Sequence, residues 1–266
     1  MTPHRLFLFL SLLWLSLPTR AAAAACGSYT VALYDHGALY SQQVDGTWSG
    51  IDKDLVTELE RRTGCHFDTI LESRIRIWAM MEAGKLDMTV SGIENPERAQ
   101  YARFLPYLAT RNSVLVNREV ASHIDSLADF EAEPHLRVAT VRSYKHGASY
   151  DAWLDRLRVQ GRVYEASDFT ALMRLLKLGR VQAVIALPTS WAPRRTEIRA
   201  AGLRVMEWAP KEVVIGSLVL SRKRMPPSTV ELLAKAIQAM RQDGTLEAIF
   251  ARHVGPELAP SLLPPP

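Results

Sequence analysis

The chain has 266 residues, of which 48% are hydrophobic and 23% are charged, with 14 glycines and 15 prolines. These proportions are typical of one or two globular domains and exclude a disordered, collagen-like or disulfide-dense small protein. The net charge is only +4 and no run of five like charges occurs, so the sequence does not predict nucleic acid as a partner.

The first 25 residues are typical of an export signal. Arg5 precedes a nearly continuous apolar segment, residues 6–18, and the alanine run that ends at Ala25 provides small residues for peptidase cleavage. The apolar segment is shorter than the ~20 residues that span a bilayer. We therefore predict that residues 1–25 are a cleaved signal peptide and that the mature chain begins at Cys26 in an oxidising compartment.

The mature chain has two cysteines, each placed next to a predicted strand. Cys26 precedes a strand over residues 29–34, and Cys65 begins the next one, residues 65–71. Parallel strands of one βαβ unit begin at the same edge of the sheet, which brings the two thiols within reach of a disulfide. Two free thiols are the alternative. Lipidation of Cys26 is another, although Ala23 stands where a lipobox usually has Leu.

Beyond the signal, extended apolar runs alternate with helical spacing in two rounds. The first round predicts strands at residues 29–34, 65–71 and 86–93, with helices that end at Gly64 and Gly84. The second predicts strands at residues 136–141, 162–166 and 181–186, with helices through residues 150–157 and 167–178. This alternation indicates two α/β lobes with parallel-dominated sheets and helices on both faces.

Two extended segments, residues 112–117 and 213–220, are predicted to carry the chain between the lobes. A helical C-terminus follows, with Ser228 as its predicted N-cap. We thus predict a first lobe from residues 26–115, a second lobe from residues 116–212, and a return of residues 213–266 to the first lobe.

Motifs of the common enzyme classes are absent from the sequence. It contains no phosphate-binding loop, no dinucleotide fingerprint and no hydrolase elbow, and its seven histidines lack metal-ligand spacing. Asp52 and Asp54 fall on different faces of a helix start, where they are predicted to serve the helix dipole. No cofactor and no metal site are predicted.

The most informative segment runs from Asp87 to Phe104. A strand leads to Ser91 and Gly92, and the sequence then predicts a helix with Asn95 as its N-cap. This places Arg98 in the first helical turn, where a cation opposes the helix dipole. An anion in front of the guanidinium would offset that cost, so the pattern points to a carboxylate-sized site; a solvated surface arginine is the alternative.

Residues 29–255 resemble the periplasmic solute-binding proteins of family 3, which serve ABC importers of polar amino acids. The resemblance rests on five motifs that occur in the family's order over nearly the whole mature chain, namely residues 50–55, 84–87, 95–98, 179–183 and 243–246. It implies a two-lobed periplasmic-binding-protein fold of type II with two hinge strands, in which the lobes close over a small ligand.

The resemblance also implies a set of ligand-binding residues. Arg98 matches the arginine that holds the ligand's α-carboxylate in the family, helped by Ser91 and Gly92. The second-lobe loop Ser143, Tyr144 and Lys145 matches the one that completes the pocket, and the aromatic residue expected near the end of the first strand corresponds to the stretch with Tyr40, after Asp35. We predict these residues as ligand contacts.

Two departures from the family pattern bear on the ligand. Leu187 stands where an aspartate usually binds the ligand's ammonium group, and Arg74 stands near the position of a stacking aromatic residue. A buried ammonium without a counter-ion is costly. Arg74, Arg76 and Arg98 therefore favour a cationic cleft for an organic acid; Arg74 and Arg76 as solvated residues of a helix start are the alternative.

From these observations we predict a monomeric, non-catalytic periplasmic protein that delivers a small anionic or zwitterionic solute to an ABC permease in the inner membrane. Two other functions stay open. One is an enzyme on the same scaffold resembling the cyclohexadienyl dehydratases, which would need a general acid such as Asp35 or Glu72. The other is a free sensor domain that docks on a membrane receptor.

Overall fold

A computed structural model describes residues 26–265, so the predicted signal peptide lies outside the described residues. Within the described part, no helix is both long and apolar enough to span a bilayer. The strands are β1 (Ser28–Leu33), β2 (Ser41–Gln42), β3 (Trp48–Ser49), β4 (His66–Leu71), β5 (Met88–Gly92), β6 (Ala102–Thr110), β7 (Ser113–Val116), β8 (Val138–Val141), β9 (Val163–Ala166), β10 (Ala183–Ala186), β11 (Arg204–Met206) and β12 (Val214–Ser221). The helices are α1 (Ile51–Thr63), α2 (Arg74–Glu82), α3 (Leu127–Ala132), α4 (Ala148–Val159), α5 (Phe169–Lys177), α6 (Pro188–Trp191), α7 (Arg195–Ala200), α8 (Pro227–Gln242) and α9 (Thr245–Val254).

The first lobe is built on a five-stranded sheet in the order β4-β1-β5-β12-β6. β4, β1 and β5 are parallel, as the βαβ pattern predicts, while β12 pairs antiparallel to β5 and β6. Helix α1 presents Leu55 and Leu59 to this core at helical spacing and ends at Gly64, whose φ of +69° is left-handed. The hydrophobic pattern of the first round thus fixes the sheet that carries Ser91 and Gly92 at the end of β5.

The second lobe is built on a five-stranded sheet in the order β11-β7-β10-β8-β9. β10, β8 and β9 are parallel, and β7 pairs antiparallel with both β10 and β11. Two hydrophobic clusters cover this sheet, one with α5 and one with α4. In each sheet four of the five strands run in the same direction and one strand, β12 or β7, runs against them, which agrees with the predicted parallel-dominated sheets.

The chain passes between the two sheets at residues 111–112 and again at residues 207–213. Residues 112–117, predicted as a linking segment, contain β7, which belongs to the second sheet. The second sheet therefore begins a few residues before residue 116, where the second lobe was predicted to begin. Residues 213–220 form most of β12 in the first sheet. The structure also places Ser228 inside α8, whose N-cap is Pro226, so the predicted cap at Ser228 is wrong.

Cys26 and Cys65 form the disulfide predicted from the strand edges, with their Cα atoms 4.5 Å apart. β1 and β4 run in parallel with Ser28 opposite His66, so the residues just before both strands meet at one edge of the sheet. A lipid thioether would use the same sulfur atom of Cys26, so the structure favours the disulfide over lipidation.

Reduction of this disulfide is expected to destabilise the protein. The bond closes a loop with a sequence separation of 39 residues, for which the loss of unfolded-state entropy corresponds to about 4 kcal/mol. Cys26→Ser combined with Cys65→Ser should lower the free energy of unfolding by that order in urea titrations. An unchanged midpoint in the double variant, or two free thiols in the exported protein by mass spectrometry, would contradict the assignment.

Candidate functional site

Arg98 follows a tight turn that begins at Asn95. The backbone N–H of Arg98 donates to Asn95 Oδ1 at 2.8 Å, so the Asn95 side chain holds the turn that leads to Arg98, although the N-cap of the element that follows is Glu97 and not the predicted Asn95. The turn is a single 3-10 turn, Arg98–Gln100, and not the predicted helix. So short an element does not provide the predicted set of free N–H groups at a helix terminus, and any anion site here depends on the guanidinium.

The Arg98 guanidinium lies buried where the two lobes meet. It donates to the carbonyl oxygen of Ile93 at 2.9 Å and, across the lobe contact, to that of Ser143 at 3.1 Å. Its planar face lies 3.7 Å from the ring centroid of Trp78, and only 6% of the residue is exposed. Burial, together with the nearby Arg74 charge, lowers the Arg98 pKa to about 10. This position agrees with the predicted anchor and not with a solvated surface arginine.

Arg74 is a second buried guanidinium at the same place. It is the first residue of α2 and lies 4.0 Å from the ring centroid of Tyr34 and 5.4 Å from that of Tyr144. One nitrogen, Nη1, approaches the carbonyl oxygen of Val90 at 3.5 Å. Its Nε and Nη2 have no hydrogen-bond partner within residues 26–265. Arg74 thus offers two donors that the described part of the protein does not satisfy.

Arg76, two residues further along α2, does not join this cluster. Its side chain is 69% exposed and pairs with Glu72 at 3.4 Å. The predicted contribution of Arg76 to a cationic cleft is therefore wrong, because the first turn of α2 turns this side chain to solvent. Glu72, one of the two candidate general acids of the dehydratase alternative, is the partner of Arg76 in this ion pair.

A buried carboxylate lies under the site. Asp52 is fully buried, and its Oδ1 accepts hydrogen bonds from the Ser91 hydroxyl at 2.9 Å and from the Tyr107 hydroxyl. Its Oδ2 has no partner among the described residues. Burial raises the Asp52 pKa to about 7, although both hydrogen bonds and Arg74 act in the opposite direction. Only a helix-dipole role was predicted for Asp52 from the sequence, and its hydrogen bonds to Ser91 and Tyr107 were not predicted.

Two serines of the site have left-handed backbone conformations, Ser91 with φ of 48° and Ser143 with φ of 60°. Such values are uncommon outside glycine and concentrate at functional sites. The backbone N–H of Ser91 donates to the Tyr107 hydroxyl at 2.9 Å, which holds this conformation in place. Ser91 lies one residue before the end of β5, and the carbonyl oxygen of Ser143 accepts from Arg98 across the lobe contact.

Gly92 follows Ser91 and permits close packing behind the site. A Cβ at this position would lie 2.2 Å from Val219 Cγ2 and 3.2 Å from the Trp78 ring. A side chain here would displace the ring on which Arg98 stacks. Gly92 therefore supports the site from behind rather than by a side-chain contact.

A latch of three contacts joins the lobes beside the arginines. The backbone N–H of Ala38 donates to the carbonyl oxygen of Thr189 at 2.8 Å, and the His36 ring bonds the Ser190 hydroxyl at 2.7 Å. The His36 ring also stacks on Tyr144, with centroids 5.3 Å apart. Burial, and to a lesser degree the Arg74 charge, lowers the His36 pKa to about 4, so the ring is neutral at pH 7.

Two cavities flank this latch. The smaller, about 10 Å³, is lined by Tyr144 and Leu187 among others and is too small for any solute. The larger, about 500 Å³, lies between the lobes and is lined by Asp35 and Asp168. Burial, followed by the Asp168 charge, raises the Asp35 pKa. Neither of these two cavities is lined by Arg74 or Arg98.

The structure thus brings together four of the predicted ligand contacts and leaves others apart. Arg74, Arg98, Ser143 and Tyr144 share the lobe contact, with Ser91 and Gly92 behind them in the first lobe. Asp35 lies in the large cavity instead. Tyr40 stacks on Trp48 at 4.9 Å inside the first lobe, and Lys145 is partly buried in the loop after Tyr144, without a described contact to the arginines.

Sequence reasoning missed the aromatic and acidic surroundings of the arginines. Tyr34 ends a predicted strand and Trp78 lines a predicted helix, so their spacing indicated only core positions. His36 and Ser190 carried no motif at all. Only the contact between the lobes, which joins residues more than 150 positions apart, gives these side chains a role.

Within residues 26–265, no group of three or more His, Cys, Asp or Glu side chains could hold a metal ion. The polar groups of the lobe contact are mainly guanidinium and hydroxyl donors. Such donors suit a carboxylate or another oxyanion.

The sequence model of the bacterial extracellular solute-binding proteins, family 3, matches residues 29–256, and the chain belongs to that family. This confirms the family inferred from the motifs. The family consists of extracellular proteins that bind solutes, and the protein is a solute-binding protein. No curated protein sequence matches the chain.

Solved structures share the fold at low sequence identity. The arginine-, lysine-, histidine-binding protein ArtJ from Geobacillus stearothermophilus is 18% identical, with a TM-score of 0.72 over 87% of this chain and 97% of that chain. A histidine kinase sensor domain with similarity to periplasmic binding proteins is 15% identical, with a TM-score of 0.72 over 90% and 98%. AncCDT-1, an ancestral amino acid-binding protein and precursor of cyclohexadienyl dehydratase, is 18% identical, with a TM-score of 0.69 over 86% and 95%. These similarities confirm the two-lobed α/β fold.

A side chain at position 37 is expected to hold the lobes apart. Gly37 has a φ of +55°, and a Cβ there would lie 2.7 Å from the Thr189 carbonyl oxygen and 2.9 Å from Ser190 Cα, both in the second lobe. Gly37→Ala should therefore weaken solute binding and reduce the solute-induced compaction seen by small-angle X-ray scattering.

Gly46→Ala is the matched control for this substitution. Gly46 also has a left-handed φ, +84°, but a Cβ there meets no atom within 4 Å. The two variants should share the backbone strain and differ only at the lobe contact. Equal binding and equal compaction in both would show that the latch does not govern closure.

The raised pKa of Asp52 predicts a pH-dependent contribution to stability. The folded protein holds the Asp52 proton more tightly than the unfolded chain, so this contribution is full below about pH 4 and is lost as the pH rises through about 7. The free energy of unfolding of the wild type relative to Asp52→Asn should fall on the order of 4 kcal/mol between those limits. Urea titrations across this range measure it, and a difference independent of pH would contradict the assignment.

Proposed function

We propose that the protein is the periplasmic substrate-binding component of an ABC-type importer, and that it binds a small carboxylate-bearing solute between its lobes. The solute is an amino acid or a related organic acid. The observation that carries this proposal is the pair of buried guanidinium groups, Arg98 and Arg74, at the lobe contact. The family membership supports the binding role, and the solved structure of the substrate-binding protein of an amino acid ABC transporter has the same fold.

The electrostatics of the arginine pair support an anionic group on the solute. Two buried cations are costly, Arg74 also keeps two unsatisfied donors, and stacking on Trp78 and Tyr34 offsets only part of that cost. Asp52 is the acid that acts on Arg74, and its raised pKa leaves it only partly ionised at neutral pH. A carboxylate between the guanidiniums would supply the missing charge and accept from Arg74 Nε and Nη2.

The surroundings of Leu187 bear on the rest of the solute. Leu187 is 3% exposed and lines the small apolar cavity at the lobe contact, where the family pattern expects an aspartate. It provides no counter-ion for an ammonium group at that position. This favours an organic acid, or an amino acid whose ammonium group is held elsewhere.

We further propose a sequence of events for binding. The solute enters while the lobes are apart, because both arginines are almost fully buried at the lobe contact. The lobes then close, and water leaves the cleft, which strengthens the contact between carboxylate and guanidinium. The signal sequence at residues 1–25 would direct the protein to the periplasm. There it would act as a monomer and dock on its permease.

The test is a thermal-shift screen over amino acids, dicarboxylates and phosphonates, repeated on variants. A solute at about 100 times its dissociation constant adds about 2.7 kcal/mol of stability, or about 5–10 °C in Tm for a domain of this size. Arg98→Ala should abolish this shift, and Arg74→Ala should reduce it strongly.

Arg76→Ala is the control, because Arg76 lies in the same helix but is exposed. It should retain the full thermal shift. An unchanged shift in Arg98→Ala, or an equal loss in Arg76→Ala, would exclude Arg98 as the anchor of the solute.

A further inference from the structure

The second lobe carries a recess of about 280 Å³ between α7 and the strand β11. This arginine groove shares none of its lining residues with the two cavities at the lobe contact. Four arginines and several aliphatic side chains line it, chiefly Arg118, Arg195, Arg199, Arg204, Ile198 and Val205.

The positive charge of the arginine groove is not neutralised within residues 26–265. None of its four arginines forms an ion pair there. Glu197 of α7 is instead paired with Lys177 at 2.6 Å, and Glu119, which follows Arg118 in the sequence, forms no ion pair among the described residues. Four like charges around one recess repel one another, so an anionic partner would relieve that repulsion.

The apolar residues of the groove and the strand beside it indicate which kind of anionic partner would fit. Ile198 is buried at its base, and Val205 is 37% exposed on its wall, so the recess suits a single apolar side chain. β11 is the edge strand of its sheet, and its outer side has no neighbouring strand in the described part of the chain. A free strand edge can accept an extended peptide.

We propose that the arginine groove docks an extended acidic segment of a partner protein, with one apolar side chain of that segment in the recess. Carboxylates of the segment would pair with Arg199 and Arg204 in the bidentate geometry that guanidinium groups favour. A flat bilayer surface would not enter the recess, so the groove fits a peptide better than a membrane. This contact is separate from solute binding and goes beyond the function proposed above.

Fluorescence anisotropy with a labelled Glu-Glu-Leu-Glu-Glu peptide at low salt tests the proposal on the whole mature protein. The wild type should bind the peptide, and a peptide with Ser in place of Leu should bind more weakly. Arg199→Glu combined with Arg204→Glu should lower the affinity at least about tenfold. The milder pair Arg199→Gln and Arg204→Gln, in a chain with an unchanged melting temperature, should show a smaller loss.

The matched control is Arg137→Glu combined with Arg180→Glu, two exposed arginines of the same lobe that lie outside the groove. This pair changes the net charge equally and should leave peptide binding within about twofold. If both double variants lost the same affinity for the peptide, the loss would be an effect of net charge alone, and the proposal would be overturned. Groove-dependent binding to phosphatidylglycerol vesicles without peptide binding would overturn it in favour of a membrane.

Discussion

The burial of two guanidinium groups in one lobe contact is the constraint on which the rest of the site depends. Arg98 donates hydrogen bonds to two carbonyl oxygens and stacks on Trp78. Arg74 lies against Tyr34, and two of its donors have no partner among the described residues. Neutral carbonyls and aromatic faces reduce the cost of burying charge but do not balance it. The two lobes therefore meet around a net positive charge that a bound anion would neutralise.

In the proposed function, closure and recognition use the same surfaces. The Arg98 side chain itself reaches the carbonyl oxygen of Ser143 in the second lobe, and His36 stacks on Tyr144, which also borders Arg74. A solute that draws in the guanidiniums therefore acts directly on residues that hold the lobes together. This coupling is what a protein that carries a solute needs, because the closed form excludes water and the open form admits or releases the solute. The left-handed serines at 91 and 143 mark the two sides of this contact.

The elements with strong local signals could be predicted from the sequence, and the site only in part. The spacing of Leu55 and Leu59 with the stop at Gly64 predicts α1, and Asn95 predicts the turn that positions Arg98. β6 was not predicted; it contains Pro106 and lies at the edge of the first sheet, where proline is tolerated. The burial of Asp52 in α1 could not be predicted, because its partners Ser91 and Tyr107 come from the distant strands β5 and β6 and its neighbour Asp54 is partly exposed. These contacts could not be predicted because the residues that form them are far apart in the sequence.

The central claim, that the lobe contact recognises a negative charge, is tested most directly by calorimetry with matched ligands. Each carboxylic acid that binds the wild-type protein would be titrated beside its neutral primary amide, which keeps the size and most of the shape of the acid. The account predicts that the acid binds and that the amide loses at least about tenfold in affinity, because the guanidinium pair then has no anion to hold. Amides that bind as tightly as their acids, or a neutral or cationic solute as the tightest ligand, would contradict it.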